Sequence, residues 1–142
     1  MADSLVVDAS VAIKWLVQED KFELARALIF DAPARPLLAP DLIVAELGNI
    51  LWKRQGRGFL HSDEAAELAG LIVDPLAFPV ELMPSRQLLA SALRIAAECD
   101  RSVYDSLYVA LAVAAGTTMV TADARLVHAL TSTRYAANVR LL

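Results

Sequence analysis

The feature that most constrains the fold is an alternation of short apolar runs with longer segments of helical periodicity. The clearest example joins an apolar helix expected over residues 103–116 to a short apolar run near residues 118–121. Short apolar runs bounded by glycine, proline or polar residues are typical of buried strands. The alternation therefore predicts β-α-β units, and hence an α/β fold with a mostly parallel sheet covered by helices on both faces.

The expected elements can be placed along the whole chain. We expect strands over residues 5–8, 37–39, 80–82, 118–121 and 139–142, and helices over residues 9–17, 20–30, 41–54, 62–73, 85–97, 103–116 and 123–130. Ser10, Asp41 and Ser85 are expected to cap the first, third and fifth helices, because these residue types accept hydrogen bonds from free backbone N–H groups.

Length and composition limit the class of protein. The 142 residues predict a single domain over residues 1–142. An apolar content of 57% is high, and it suits a doubly covered sheet or an apolar surface buried against a partner. No apolar run is long enough to cross a membrane, the first residues lack a basic signal sequence, and Cys99 has no cysteine to pair with. We expect a cytoplasmic protein, and the net charge of −4 argues weakly against nucleic acid.

Four carboxylates are expected at one edge of the sheet. Asp8 ends the first strand, and Asp123 follows the fourth. Asp105 and Glu46 lie in the first and second turns of their helices, which start at this same edge because helices in β-α-β units run opposite to the strands. Ligands of open α/β sheets bind at the carboxyl ends of the strands. The four acids are therefore expected to converge on one crevice.

Glu46 is the most informative of these acids, because it is the only charged residue between Leu42 and Trp52. Burying a carboxylate without a partner is expensive. The nearest basic residue in this helix, Lys53, is two turns away. A bound cation would balance the charge, and Asn49, one turn further along the same face, could orient Glu46 or a bound water.

A site built from carboxylates favours a hard divalent cation. Mg²⁺ and Mn²⁺ are held by a few carboxylates together with waters and substrate phosphate oxygens, and the cation offsets the repulsion among the acids. Such an ion lowers the pKa of an attacking water and stabilises the charge that develops during phosphodiester hydrolysis. We expect Asp8, Glu46, Asp105 and Asp123 to bind the metal, and at least one of them to orient the water.

Each acid also has a structural interpretation that the sequence leaves open. Asp123 could be an N-cap, and Asp105 has the capping-box spacing from Ser102. Asp8 could be a turn or helix-entry residue, and Glu46 could be an exposed helix residue. An accidental meeting of all four at one edge is less probable than any one of these alone.

Other polar and aromatic side chains supply weaker candidates. Ser10 and Thr121 are interpreted as caps or strand-end hydroxyls, or as hydrogen-bond partners of metal ligands. Contacts to a phosphate backbone are assigned to five basic residues, Lys14, Lys53, Arg54, Arg57 and Arg125. For the cluster of Lys53, Arg54 and Arg57, a solvated helix end is the alternative. Trp15 and Trp52 are interpreted as core or interface residues, and His61 and His128 as a loop and a surface residue.

Four segments in chain order resemble the motifs of the PIN-domain ribonucleases, and more narrowly the VapC toxins of VapBC toxin–antitoxin modules. They are Val6–Val17, Pro40–Glu46 with Asn49, Tyr104–Ala112 and Thr121–Leu126. Each motif alone is loose, but four at suitable spacings in a chain of this size are specific. The resemblance covers the whole chain and carries one of the family's acids at each of Asp8, Glu46, Asp105 and Asp123.

The resemblance implies more than the residues alone predict. It implies a three-layer α/β/α sandwich with five strands in the order 3-2-1-4-5. It implies Mg²⁺- or Mn²⁺-dependent endonuclease activity on structured RNA, often tRNA or ribosomal RNA. It also implies a homodimer inhibited by a cognate VapB-type antitoxin, whose C-terminal segment crosses the groove and can place a basic side chain among the acids. Trp15 and Trp52 are candidates for these two interfaces.

Two alternatives remain open at this point, and a third is discounted. The chain could be a PIN-type RNA-processing nuclease without a toxin role, or a catalytically silent interaction module that keeps the acids for stability. A phosphatase that forms an aspartyl-phosphate is discounted, because the segment Asp8-Ala-Ser10 lacks the second aspartate that would act as acid and base.

Overall fold

A computed structural model describes residues 3–142; Met1 and Ala2, which open the expected domain, lie outside the described residues. The strands are β1 (Leu5–Val7), β2 (Leu37–Pro40), β3 (Val80–Met83), β4 (Thr118–Thr121) and β5 (Val139–Leu141). The helices are α1 (Ala9–Leu16), α2 (Phe22–Phe30), α3 (Leu42–Gly56), α4 (Ser62–Ile72), α5 (Ser85–Cys99), α6 (Val103–Ala114) and α7 (Ala124–Leu130). A short 3₁₀ turn, which the sequence did not predict, precedes β5 at Ala136–Asn138.

The five strands form one sheet in the order β3-β2-β1-β4-β5, and all four pairings are parallel. The predicted α/β class and the strand order that the resemblance implies are both confirmed. In the pairing of β1 with β4, Val7 lies opposite Val120. The residues that follow these strands, Asp8 and the chain after Thr121, therefore leave the sheet side by side.

Both faces of the sheet are covered, as expected for strands that are apolar throughout. Val6, Leu38 and Met119 belong to a large cluster of buried side chains that includes residues of α3, α5 and α6. The intervening residues Leu5 and Val7 belong to a second cluster, which receives side chains from α1 and α2. Because successive strand residues point to opposite faces, this division gives the expected three layers.

α6 is the most deeply buried helix, and its position follows from its composition. Every residue from Ser106 to Ala112 is buried, and the helix contacts β1, β2, β4 and α5. Gly116 ends this segment with a backbone φ of 65°, a left-handed conformation that glycine adopts without strain. Only the first turn of α6, which carries Asp105, reaches the surface at the carboxyl edge of the sheet.

Ser10, Asp41 and Ser85 do not cap the helices for which they were predicted. Asp8, rather than Ser10, caps α1 by accepting a hydrogen bond from the Val11 backbone N–H. Asp41 precedes α3 but makes no side-chain cap there; its carboxylate instead accepts hydrogen bonds from the backbone and side chain of Ser85. The first helix begins at Ala9, so Asp8 takes the cap position that was predicted for Ser10. Asp41 and Ser85 do not cap their helices because the tertiary fold brings their side chains together.

None of the helices formed by residues 3–142 has both the length and the apolar character needed to cross a membrane.

Candidate active site

Asp8 lies at the carboxyl end of β1 and is almost completely buried. Its Oδ1 accepts hydrogen bonds from Ser10 Oγ at 2.5 Å and from the Val11 backbone N–H at 3.2 Å, while Oδ2 accepts from Thr121 Oγ1 at 2.5 Å. Burial raises the pKa of Asp8, although these three hydrogen bonds lower it in part, and the charge of Asp105 adds to the increase. The fold thus holds this carboxylate firmly in an environment that disfavours its charge.

Glu46 lies on the flank of α3 because the inner face of that helix is apolar. Ile43, Leu47 and Leu51 recur at four-residue spacing and are buried, which leaves Glu46 half-buried beside them. The hydroxyl of Tyr108 on α6 donates a hydrogen bond to Glu46 Oε1. Burial raises the pKa of Glu46; the Tyr108 hydrogen bond opposes this, and the charges of Asp8 and Asp105 reinforce it.

Asp105 is held at the start of α6. Ser102 caps the helix by accepting a hydrogen bond from the Asp105 backbone N–H at 3.1 Å, as the capping-box spacing predicted. The Asp105 carboxylate does not complete the box. It accepts a hydrogen bond instead from Arg101 Nη2 at 3.1 Å, and Arg101 lies four residues earlier in the chain, before the helix begins. Asp105 is partly exposed, and its charge acts on both Asp8 and Glu46.

Asp123 caps α7, as its alternative interpretation predicted. Its Oδ1 accepts hydrogen bonds from the backbone N–H groups of Arg125 at 3.0 Å and Leu126 at 3.2 Å. Its own backbone N–H donates to Thr121 Oγ1 at 3.1 Å, and Thr121 in turn donates to Asp8. The backbone of Asp123 and the carboxylate of Asp8 therefore share Thr121 as a hydrogen-bond partner at the same edge of the sheet.

The acids gather but do not form a closed ligand cage. Asp8, Glu46 and Asp105 come from three elements and are close enough for their charges to act on one another. Within residues 3–142, no three histidine, cysteine or acidic side chains are already placed to hold a metal ion together. The oxygen-only donor set suits a hard divalent cation, and such an ion would offset both the burial of Asp8 and Glu46 and their mutual repulsion. The donor chemistry of these residues therefore fits a hard divalent cation.

Two of the basic residues assigned to phosphate contacts are engaged within the protein. Lys14 Nζ is buried and binds Glu19 Oε1 at 3.1 Å and the Asp20 carbonyl at 2.6 Å. Arg54 pairs with the other oxygen of Glu19. Lys53, Arg57 and Arg125 are exposed, as are Asn49, His61 and His128. For Lys14 and Arg54 the expectation of phosphate binding gives way to a structural role.

The two tryptophans also have different surroundings. Trp15 donates its indole N–H to the Ala25 carbonyl at 2.7 Å and packs edge-on against Phe78, with ring centroids 5.6 Å apart. Trp52 is 67% exposed on α3. Trp15 is thus a packing residue that joins α1 to α2, whereas Trp52 remains available to a partner.

Tyr108 and Arg101 contact the acids, although neither was predicted as a site residue from the sequence. Tyr108 lies three residues after Asp105 on α6, whereas Arg101 lies four residues before it, outside the helix that Ser102 caps. Side chains three or four residues apart share one face of a helix. That spacing was the available signal, but it does not reveal that Tyr108 reaches across to a carboxylate on another helix.

The chain matches the PIN domain family over residues 5–129. It is 33% identical over 122 residues to Ribonuclease VapC3 of Pyrobaculum aerophilum, which covers 86% of this chain and 91% of that protein. The structure resembles PAE2754 of Pyrobaculum aerophilum with a TM-score of 0.66 and 28% identity, over 98% of this chain and 84% of that one. It also resembles the VapBC-5 structure of Mycobacterium tuberculosis, with a TM-score of 0.55 and 21% identity over 99% and 98% of the two chains, a similarity that concerns the fold alone.

Proposed function

The chain belongs to the PIN-domain family, and we propose on that basis that it is a metal-dependent endoribonuclease that serves as the toxin of a type II toxin–antitoxin module. The similarity to Ribonuclease VapC3 supports a ribonuclease of the VapC kind. The observation that carries the proposal is the gathering of Asp8, Glu46 and Asp105, with the pKa of Asp8 and of Glu46 raised by burial and by neighbouring negative charge. A protein retains such a costly arrangement most readily where a cation is to be bound.

The four acids are assigned to holding Mg²⁺ or Mn²⁺ at the carboxyl edge of the sheet. When bound, the ion would supply an activated water and stabilise the charge that develops on the phosphate. Asp8 offers a rigid carboxylate, since three hydrogen bonds fix its position. The mutual effects of Asp8, Glu46 and Asp105 on their pKa values support the assignment of these three acids, and Asp123 is assigned on its position at the same edge of the sheet. At least one of the four also orients the attacking water.

The exposed apolar side chains of this protein support protein partners in addition to an RNA substrate. Large apolar side chains are exposed on several helices and loops, among them Phe30 (80%), Trp52 (67%), Phe59 (72%), Leu76 (92%), Leu89 (53%) and Leu93 (59%). Exposed apolar side chains in this number suit protein–protein contacts. We assign these contacts to a homodimer and to a cognate VapB-type antitoxin. The proposed substrate is a cellular RNA, tRNA or ribosomal RNA being the leading candidates, and the proposed place of action is the cytoplasm.

Cleavage of total cellular RNA by the purified protein, free of antitoxin, tests the proposal. The reaction is run with Mn²⁺, with Mg²⁺ and with EDTA, beside Asp105→Asn and the control Asp41→Asn. Asp41 is an exposed acid at the same edge of the sheet, but its carboxylate binds Ser85 and lies outside the group of acids. Discrete metal-dependent products that vanish with Asp105→Asn and persist with Asp41→Asn would support the nuclease.

The same experiment addresses the alternatives. Absence of both cleavage and Mn²⁺ binding would favour a silent interaction module. Cleavage by a protein whose expression leaves cell growth unaffected, in a genome with no antitoxin-like gene beside it, would favour an RNA-processing nuclease without a toxin role.

A further inference from the structure

Tyr108 links the two helices that carry Glu46 and Asp105. It lies on α6, one turn after Asp105, and its side chain is only 2% exposed. Its hydroxyl donates to Glu46 Oε1 on α3, and within residues 3–142 no other group donates a hydrogen bond to that carboxylate. The phenol is thus a single fixed contact between one acid and the helix that bears another.

The chemistry of the phenol makes it a permanent donor. A phenol has an ordinary pKa of about 10, so the hydroxyl that contacts Glu46 carries its hydrogen at physiological pH without any shift. A protonated phenol beside a carboxylate donates its one hydrogen to one oxygen. Oε1 of Glu46 therefore accepts from Tyr108, while Oε2 accepts no hydrogen bond within residues 3–142.

We propose that Tyr108 is a positioning residue for the metal site, and that its hydroxyl holds the Glu46 carboxylate in place so that Oε2 is available to a divalent cation. This inference rests on the proposed metal-binding role of Glu46. A free glutamate side chain must lose rotational freedom when it binds an ion, and a partner that fixes it beforehand removes part of that cost. Partners of metal ligands typically change metal affinity by about 10- to 100-fold.

A packing role alone would have different consequences. The ring of Tyr108 fills space in the large apolar cluster, and phenylalanine would fill the same space. Tyr108→Phe therefore removes the hydroxyl and leaves the packing intact. Tyr135→Phe is the matched control, because Tyr135 is also buried and its hydroxyl donates to a carboxylate, that of Glu98 at 3.2 Å, away from the four acids.

The experiment measures Mn²⁺ affinity from the electron paramagnetic resonance signal of free Mn²⁺, for the wild type, Tyr108→Phe, Tyr135→Phe, Glu46→Gln and the double variant Tyr108→Phe/Glu46→Gln. A melt in EDTA checks that each variant is folded. We expect Tyr108→Phe to bind Mn²⁺ about tenfold more weakly and Tyr135→Phe to bind as the wild type does. If Tyr108 acts through Glu46, its substitution will weaken binding no further in the Glu46→Gln background.

Three results would overturn the inference, and they can be told apart. Wild-type affinity in folded Tyr108→Phe would leave the metal site in place and remove Tyr108 from it. Failure of the wild type itself to bind Mn²⁺ would remove both the metal site and the role of Tyr108. An equal loss of affinity in the Glu46→Gln background would show that the hydroxyl acts by a route other than Glu46, which also contradicts the inference.

Discussion

Thr121 Oγ1 donates a hydrogen bond to Asp8 Oδ2 at 2.5 Å, which links the last residue of β4 to the residue that follows β1. Thr121 is 0% exposed, and the two residues continue the pairing in which Val7 lies opposite Val120. The same hydroxyl oxygen accepts the backbone N–H of Asp123. One buried threonine therefore joins two of the four acids at the point where β1 and β4 leave the sheet.

Thr121→Val should destabilise the protein through Asp8. Valine keeps the shape but leaves a buried carboxylate with one donor fewer, at a cost of about 1–3 kcal/mol in the free energy of unfolding. Chemical denaturation in EDTA measures the loss, and Thr118→Val is the control, since the half-buried hydroxyl of Thr118 bonds a carbonyl away from the acids. The loss should shrink in an Asp8→Asn background; an equal loss there would show that Asp8 is not the cause.

Asp8→Asn should stabilise the metal-free protein while abolishing cleavage. The pKa of Asp8 is raised in the folded state, so this group favours folding below its unfolded pKa of about 3.9, and that contribution is lost as the pH rises through the folded pKa. At pH 7 an asparagine avoids this cost, and we expect its melting temperature in EDTA to be about 3 °C higher. The two melting curves should coincide at pH 3. A lower melting temperature of the variant at pH 7 would contradict the electrostatic argument.

Asp123→Asn separates capping from metal binding. Asparagine caps a helix as well as aspartate does, so the melting temperature in EDTA should stay within about 1 °C of the wild type. If Asp123 is a metal ligand, its replacement weakens the binding of the ion. We therefore expect Mn²⁺ to raise the melting temperature of the variant less than that of the wild type. An unchanged response to Mn²⁺ would limit Asp123 to its structural role.

Glu19→Gln should destabilise the protein without changing the chemistry of the site. Burial alone would raise the pKa of Glu19, but the hydrogen bonds and charges of Arg54 and Lys14 outweigh it and lower that pKa. The contribution of Glu19 is therefore present above its unfolded pKa of about 4.3 and is lost as the pH falls through the folded value. We expect the substitution to lower the free energy of unfolding, measured by chemical denaturation, by about 1–3 kcal/mol at pH 7, and this loss should disappear near pH 3.

Glu98→Gln is the comparison for that measurement, because Glu98 pairs with Arg134 at the surface, where their side chains are 43% and 69% exposed. Exposed ion pairs contribute about 0–1 kcal/mol. If Glu98→Gln lowers the free energy of unfolding as much as Glu19→Gln does, the burial of Lys14 does not set the strength of the Lys14–Glu19 pair.

Much of the fold could be predicted because it depends on patterns within short segments. Apolar runs and helical periodicity located every strand and α-helix, and the largest differences are shifts at the ends, such as α3 continuing to Gly56 instead of ending at Arg54. The strand order required more, namely the resemblance carried by the four motifs. The cap of the first helix was misplaced by two residues, since Asp8 caps it instead of Ser10. The capping predictions for Asp41 and Ser85 were wrong because a local rule cannot include a partner from a distant element.

The sequence by itself determined that the chain forms a parallel sheet with Asp8 and Asp123 after its inner strands and with Glu46 and Asp105 near helix starts. Strand and helix periodicity act over a few residues, so they can be read directly from the sequence. Only the tertiary structure decided which groups meet those acids. Thr121 lies 113 positions from Asp8, and Tyr108 lies 62 from Glu46. Hydrogen bonds of this kind depend on how helices pack on the sheet, and no spacing along the chain encodes that distance.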